Sequence, residues 1–310
     1  MSPTAASPRH DRVPLGILYM VASSVVFAGV NALVKWEVAL YPVGEVAFFR
    51  SLFSLVPCYL LILPRTGLAV LRTEHPVAHL KRALSQFCSM TSLFLAFQLM
   101  PLAGAIAISF SAPLFTTLLS ILVLKERVGL HRWSALLLGF AGVLLVARPG
   151  PSLLHSGALF ALANAVLIST VAIAIRRMSL TESTETLTFY QLTLITLFTA
   201  LLLPFGFALP AWKDALFLAL AGLGNGVAQY WWTKSLHLAP PSAVTPFNYL
   251  SLVWATVIGF LVWGDAPTRR LMLGSAVVVG SGLYILWRET VRRRERAAGP
   301  AAAALDRMSR

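Results

Sequence analysis

The chain repeats itself across an odd number of apolar segments, which forces the second copy to lie upside down. From Leu15 to Trp36 it reads LGILYMVASSVVFAGVNALVKW, and from Ser156 to Met178 it reads SGALFALANAVLISTVAIAIRRM. Setting Gly16 on Gly157 puts Ala22 on Ala163, Lys35 on Arg176, Phe48 on Phe189 and Phe49 on Tyr190. The halves match again where Ala105 to Phe115 falls on Ala243 to Val253, and Gly139 to Gly142 on the stretch from Gly280 to Gly282. Each half carries about five apolar segments of membrane length. A chain that has crossed a bilayer an odd number of times starts its second copy from the other side.

Composition supports the bilayer as solvent. Only 12% of the 310 residues are charged and 57% are hydrophobic, whereas soluble domains carry about 25% charged residues. The expected fold is therefore an all-α integral membrane protein, ten transmembrane helices arranged as two inverted five-helix repeats. The helices are predicted near residues 14–35, 43–63, 80–100, 103–124, 132–148, 156–177, 187–208, 212–236, 241–263 and 271–288. Pro42, Pro64, Pro101, Pro149, Pro151, Pro204, Pro210, Pro240, Pro241 and Pro267 punctuate their ends. The domains are a cytoplasmic segment (1–13), two repeats (14–150 and 151–288) and a basic tail (289–310) read as disordered. The first apolar segment is too long for a signal-peptide core, lacks a clear cleavage site and has a counterpart in the second half, so it is read as a span. Cys58 and Cys88 lie in apolar stretches and fit neither a disulfide framework nor a metal site. Small residues on the fifth and tenth segments (Ala135, Gly139, Gly142; Ala276, Gly280) suit tight helix packing.

Basic residues set the direction. With the N-terminus in the cytoplasm, nineteen of the 25 Lys and Arg fall on the cytoplasmic side, five on the other, and Arg50 lies within a helix. The loop at 64–82 carries four basic residues, while its counterpart at 204–213 carries only Lys213. Both termini are thus expected in the cytoplasm of a cell with a plasma (inner) membrane. The net charge of +13 reflects this topology and the tail, whose three consecutive arginines can also meet acidic lipid. Nucleic acid is not an expected partner; membrane lipid and a small-molecule substrate are. Oligomeric state is open.

Charged groups inside a bilayer are costly and tend to be functional. Glu45 and Arg50 stand early in the second helix, in EVAFFR. Glu45 is read as the one intramembrane carboxylate, and so as the coupling residue of any proton-linked cycle. Arg50 has two readings: a planar two-pronged partner for a substrate carboxylate, or a structural partner of Glu45 and helix-end carbonyls. The second copy has Thr186 and Gln191 in their places. The remaining candidate substrate-binding residues are polar or aromatic: Asn31, Phe49, Gln86, Ser111, Asn164, Tyr190, Gln191, Asn225, Gln229, Trp232, Asn248 and Tyr249. Each amide or hydroxyl must face a partner helix or a wet space, so helix-to-helix bonding is the competing reading for every one. Asn225 and Gln229, four apart, share a helix face. Pro113 and Pro246 lie inside apolar segments and allow broken helices of the kind that meet at substrate sites.

Three stretches carry a family resemblance. Ala96 to Gly142 (AFQLMPLAGAIAISFSAPLFTTLLSILVLKERVGLHRWSALLLGFAG) resembles the first-repeat signature of the EamA-type drug/metabolite transporters. Leu236 to Pro267 (LHLAPPSAVTPFNYLSLVWATVIGFLVWGDAP) resembles their second-repeat signature, with Asp265 where glutamate is usual, and EVAFFR resembles their second helix. The resemblance implies a ten-helix basket with a central cavity, peripheral fifth and tenth helices, and alternating-access transport of small organic solutes. Under it the acidic residues Glu126 and Asp265 are structural.

A fold signature does not name a ligand. Arg50, the amides and the aromatic residues lead to export of a small amino-acid-derived zwitterion across the inner membrane, with an opine-like metal chelator among the candidates. The alternative is uptake of a ring-bearing metabolite such as S-adenosylmethionine or riboflavin, since EVAFFR and SFSAPLF resemble such importers too. An enzyme is the reading of another class. The six histidines form no HExxH motif, no phosphate-binding glycine loop is evident, and no catalytic residue, cofactor or metal is expected.

Overall fold

The computed structural model describes residues 13–112, 114–116, 118–119, 130–147, 156–178, 181–238, 245–284, 287 and 291. The N-terminal segment, Pro113, Glu126 and its basic neighbours, the 149–151 and 240–241 prolines, and nearly all of the tail lie outside the described residues. Among the described residues there is helix and no strand. The helices are α1 (Val13–Glu37), α2 (Val43–Thr66), α3 (Pro76–Leu99), α4 (Leu102–Ser109), α5 (Leu130–Ala147), α6 (Ser156–Met178), α7 (Thr184–Ala200), α8 (Trp212–Leu238), α9 (Leu250–Trp263) and α10 (269–284).

Local chemistry explains the ends. Pro76 opens α3 at a position where its missing N–H is no loss. Ser183 caps α7 by accepting the Thr186 N–H at 3.1 Å. Gly264 ends α9 at φ +70°, a left-handed conformation that glycine adopts without strain. Pro64 does not end α2, which runs to Thr66 and stops at Gly67. The fourth apolar segment is interrupted: α4 ends at Ser109 and a turn follows through Phe110 and Ser111. Its counterpart is a 3₁₀ turn over Thr245–Tyr249 that leads into α9.

Packing closes eight helices into a ring. Going round it, α1 packs on α8, α8 on α2, α2 on α7, α7 on α3, α3 on α6, α6 on α4, α4 on α9, and α9 back on α1. The order is pseudo-symmetric: α1 on α8 is mirrored by α6 on α3, and α8 on α2 by α3 on α7. α5 and α10 pack together outside this sequence of contacts. A Cβ added to Gly142 would stand 3.0 Å from the Gly274 carbonyl oxygen, and one on Gly274 2.9 Å from that of Gly142, so here the backbones nearly touch. Ala276 and Gly280, expected in this contact, are exposed instead, and Gly274 takes their place.

Among the described residues, four helices are long and apolar enough to cross a membrane: Pro14–Glu37, Val43–Pro64, Ser156–Ile175 and Glu185–Phe205. α3 and α8 are long enough, at 24 and 27 residues, but too polar to join that group. They are repeat partners: α3 packs on α6, α7, α2, α1 and α4, and α8 on α1 and α2, so that polar side chains such as Arg82 and Asn225 meet protein. Leu18, Leu60, Leu137, Leu201 and Leu261 are among the exposed apolar side chains, as a lipid-facing surface requires.

Candidate functional site

The α2/α8 seam holds an arginine within the helix bundle. Arg50 lies two turns into α2. Its Nη2 donates to the Asn225 side-chain oxygen on α8. Its Nη1 lies 3.0 Å from the Met90 sulfur, and its guanidinium carbon is 5.3 Å from the centre of the Phe94 ring. Both of those residues belong to α3. Asn225 Nδ2 donates in turn to Ser54 Oγ at 3.0 Å. The Ser54 hydroxyl sits between the carbonyls of Arg50 (2.6 Å) and Gly222 (3.0 Å). Glycines permit this approach: a Cβ on Gly222 would lie 2.8 Å from the Arg50 carbonyl oxygen, and one on Gly226 2.8 Å from that of Ser54. Arg50 Nε is buried without a partner.

Glu45 does not pair with Arg50, so that structural reading is corrected. It is fully buried, accepts the Ala208 N–H at 2.9 Å through Oε2, and leaves Oε1 unpartnered. Nor is it the only buried carboxylate of the spans. Glu37, the last residue of α1, is 0% exposed with neither oxygen partnered. Its place beyond the predicted end of the first helix hid it from sequence reading.

The α3/α7 seam is the symmetry-related counterpart. Gln191, in the place of Arg50, accepts from Arg82 Nη1 at 3.1 Å, and Arg82 Nη2 donates to the Leu187 carbonyl. Where the first seam has Gly226 against Pro57, this one has bulk: the Phe87 and Phe198 rings are 5.9 Å apart.

Each seam is latched at one end, and the latches match. In the register that sets Phe48 on Phe189, Tyr41 falls on Glu182 and Thr73 on Asp214. The Tyr41 hydroxyl donates to Asp214 Oδ2 at 2.6 Å and accepts the Ala211 N–H at 3.1 Å. The Thr73 hydroxyl donates to Glu182 Oε1. α2 runs from the Tyr41 latch towards the Thr73 latch, and α7 runs from the Glu182 latch back towards Asp214. The repeats are thus antiparallel.

One unpredicted residue, His79, strengthens the Glu182 latch. His79 is buried, stacks on Tyr190 at 4.5 Å and places Nε2 3.7 Å from Glu182 Oε1. Tyr190 itself donates to the Leu71 carbonyl at 2.8 Å. Burial alone would raise the Glu182 pKa; the Thr73 hydroxyl, His79 and the Glu74 backbone outweigh it and hold the carboxyl below its ordinary range. The Tyr41 phenol moves the other way, raised chiefly by its bond to Asp214.

The other predicted residues divide into distinct places. The interrupted segments do meet: Phe110 and Tyr249 have ring centres 5.0 Å apart, bringing Ser111, Asn248 and Tyr249 to the α4/α9 contact. Ser111 bonds back to the Ile108 carbonyl at 2.7 Å. The Tyr249 hydroxyl is unpartnered and lies over Gly282, in the space a Cβ there would fill. Asn164 is a helix-to-helix bond, donating to the Ser89 carbonyl (2.9 Å) and hydroxyl (2.8 Å). Phe49 stacks on Phe53 at 6.4 Å. Trp232 packs with Met20 and Phe247. Asn31 on α1, Gln86 on α3 and Gln229 on α8 are half-buried. The predicted list is therefore several polar stations round the ring rather than one continuous lining.

Comparison with known proteins follows the same two-part organisation. The EamA-like transporter family matches twice, over residues 14–148 and 155–287. A riboflavin transporter of Rhizobium johnstonii is 32% identical over 95% of this chain and 98% of its own length. The pseudopaline exporter CntI of Pseudomonas aeruginosa is 30% identical over 87% of this chain and 95% of its own. One solved crystal structure superposes with a TM-score of 0.62 at 23% identity, covering 87% of this chain and 96% of that one, a likeness of fold alone.

Proposed function

The chain belongs to the EamA-like transporter family of the drug/metabolite transporter superfamily, and from that premise we propose that it carries a ring-bearing, flavin-like metabolite across the inner membrane by alternating access. The family and the names of the relatives point to transport rather than catalysis. One observation carries the substrate site. Arg50 Nε, Thr91 Oγ1 and Ser109 Oγ are buried on the ring helices α2, α3 and α4 with no partner. A donor or acceptor left unpaired away from water costs about 1–3 kcal/mol, so these positions favour a ligand that completes them. A tricyclic or similar planar solute suits them: Phe49 and Tyr249 offer ring faces, while Arg50 and Asn225 offer a donor and an amide. The long match to a riboflavin transporter supports this order of preference over the zwitterion ranked first on sequence alone.

Arg50 also keeps the second reading alive, export of a carboxylate-bearing amino-acid derivative, which the match to a pseudopaline exporter supports. In both readings the Tyr41–Asp214 and Thr73–Glu182 latches are the closures at the two ends, both termini face the cytoplasm, and Glu45 is the residue a proton-linked cycle uses. The test is growth of a riboflavin-auxotrophic bacterium without its own transporter. Expression of this chain should permit growth at low external riboflavin, and Arg50→Ala should remove it. No growth advantage, together with intracellular build-up of an amino-acid derivative in a deletion strain, would reject the flavin reading in favour of export. For coupling, Glu45→Gln should remove the pH dependence of uptake into vesicles without abolishing binding; unchanged pH dependence discards that role.

A further inference from the structure

A second polar feature lies on the α3/α6 seam, away from the Arg50 cluster. A cavity of about 350 Å³ opens between the start of α3, the end of α6 and Leu119, within the size range of small-molecule sites. Lys81, Arg82 and Arg177 stand around it, with Ser85 and Thr170 also in its wall. On α3 the lining recurs at 78, 81, 82 and 85, and on α6 at 170, 173, 174 and 177, so each helix turns one continuous face to the hollow. The rest of the wall is apolar. Among the described residues no Asp or Glu lines it. Glu182, close by in the chain, faces Thr73 and His79 instead.

A mostly apolar hollow rimmed by cationic side chains attracts an anion. Arg82 adds geometry to the argument. It is 2% exposed, its two terminal nitrogens hold α7, and its Nε has no partner. A guanidinium fixed in this way is a preorganised donor for an oxyanion. We infer that this cavity binds the carboxylate or phosphate of an anion with an apolar body. Lys81 and Arg177, both exposed, attract it at the mouth. Ser85 offers a hydroxyl donor, and the apolar wall takes its body. The same chemistry belongs to a soluble organic anion and to an acidic phospholipid. The site stands independently of which substrate the Arg50 cluster takes.

The test uses the full chain in phosphatidylcholine nanodiscs. Riboflavin 5′-phosphate is titrated by quenching of flavin fluorescence, with riboflavin as the uncharged control. Phosphatidylglycerol retained from mixed nanodiscs is counted by native mass spectrometry. In K81Q/R177Q at least one of the two anionic probes should bind roughly tenfold more weakly or be lost, while K81R/R177R keeps it and riboflavin is unaffected. Loss of the flavin phosphate alone identifies a soluble ligand; loss of phosphatidylglycerol alone identifies a lipid site; loss of both, one site open to either. Wild-type protein that binds neither anion, or a K81Q/R177Q variant that binds both as well as wild type, overturns the proposal. Both substituted side chains are exposed, and Arg82 is left intact, so folding is checked simply by an unchanged melting temperature.

Discussion

The α2/α8 and α3/α7 seams occupy equivalent places in the ring and are built from opposite materials. In the first, Gly222 and Gly226 let two backbones approach until carbonyl oxygens take the place of side chains. In the second, Phe87 and Phe198 hold the helices apart. Both seams keep one arginine-to-amide bond, with the arginine on α2 in one and on α3 in the other. Both keep a hydroxyl-to-carboxylate latch, but Asp214 meets a phenol while Glu182 meets a threonine and a histidine. A repeated frame thus conserves the positions of the bonds and changes their strength and chemistry. The glycine seam is the closer-packed of the two, and the phenylalanine seam is tied mainly by polar groups near one end.

The largest expected effect breaks the glycine seam. Gly222→Leu drives a side chain into Phe53 and the Arg50 carbonyl, and overpacking of this kind costs about 1–3 kcal/mol or more. It should lower the melting temperature in detergent well beyond any loss from Phe87→Leu, which leaves the wider seam only slightly underfilled. Equal losses would erase the contrast. Next comes the arginine pair. A double-mutant cycle on Arg50→Met and Asn225→Ala should give a coupling of about 0.5–3 kcal/mol in thermal stability, and transport should fall in each single variant. A coupling near zero would make the contact incidental.

The smallest effect separates the latches by pH. A carboxylate whose folded pKa is depressed contributes stability above its unfolded pKa and loses it as pH falls through the folded value. The Glu182 latch should therefore weaken on acidification. A phenol whose pKa is raised keeps its proton until pH climbs above its ordinary range, so the Tyr41 hydroxyl remains a donor throughout that acidification. Melting temperature should fall less on acidification in Glu182→Gln than in the unsubstituted protein. An acid-side fall unchanged by that substitution would contradict the assignment.

The fold was legible because apolar length and repetition are properties of the chain itself. The doubled apolar pattern and the spacing of Phe48 on Phe189 led directly to a two-part helical membrane protein. The site was only partly legible. Arg50 and Asn225 stood out as polar residues in apolar stretches, but nothing in their spacing said that they bond to each other across repeats. Asn164 stood out for the same reason and serves to join α3 to α6. His79 and Arg82 looked like loop residues because basic side chains before an apolar run usually mark its edge. Only the packing of α7 against the start of α3 buries them. Glu37 was overlooked because the first helix extends past Lys35. Lys35 caps the end of α3 by donating to the Phe97 and Met100 carbonyls at 3.0 and 2.8 Å.

Opposed orientation of the halves underlies both seams, and labelling of two repeat-related positions tests it most directly. Arg72 and Lys213 are exposed and occupy equivalent loops. With Cys58 and Cys88 replaced by alanine, R72C and K213C variants are exposed in intact cells to a thiol reagent that cannot cross the membrane. The inverted arrangement requires the two to react from opposite sides, and the proposed cytoplasmic termini put K213C outside and R72C within. Reaction of both from the same side would contradict it.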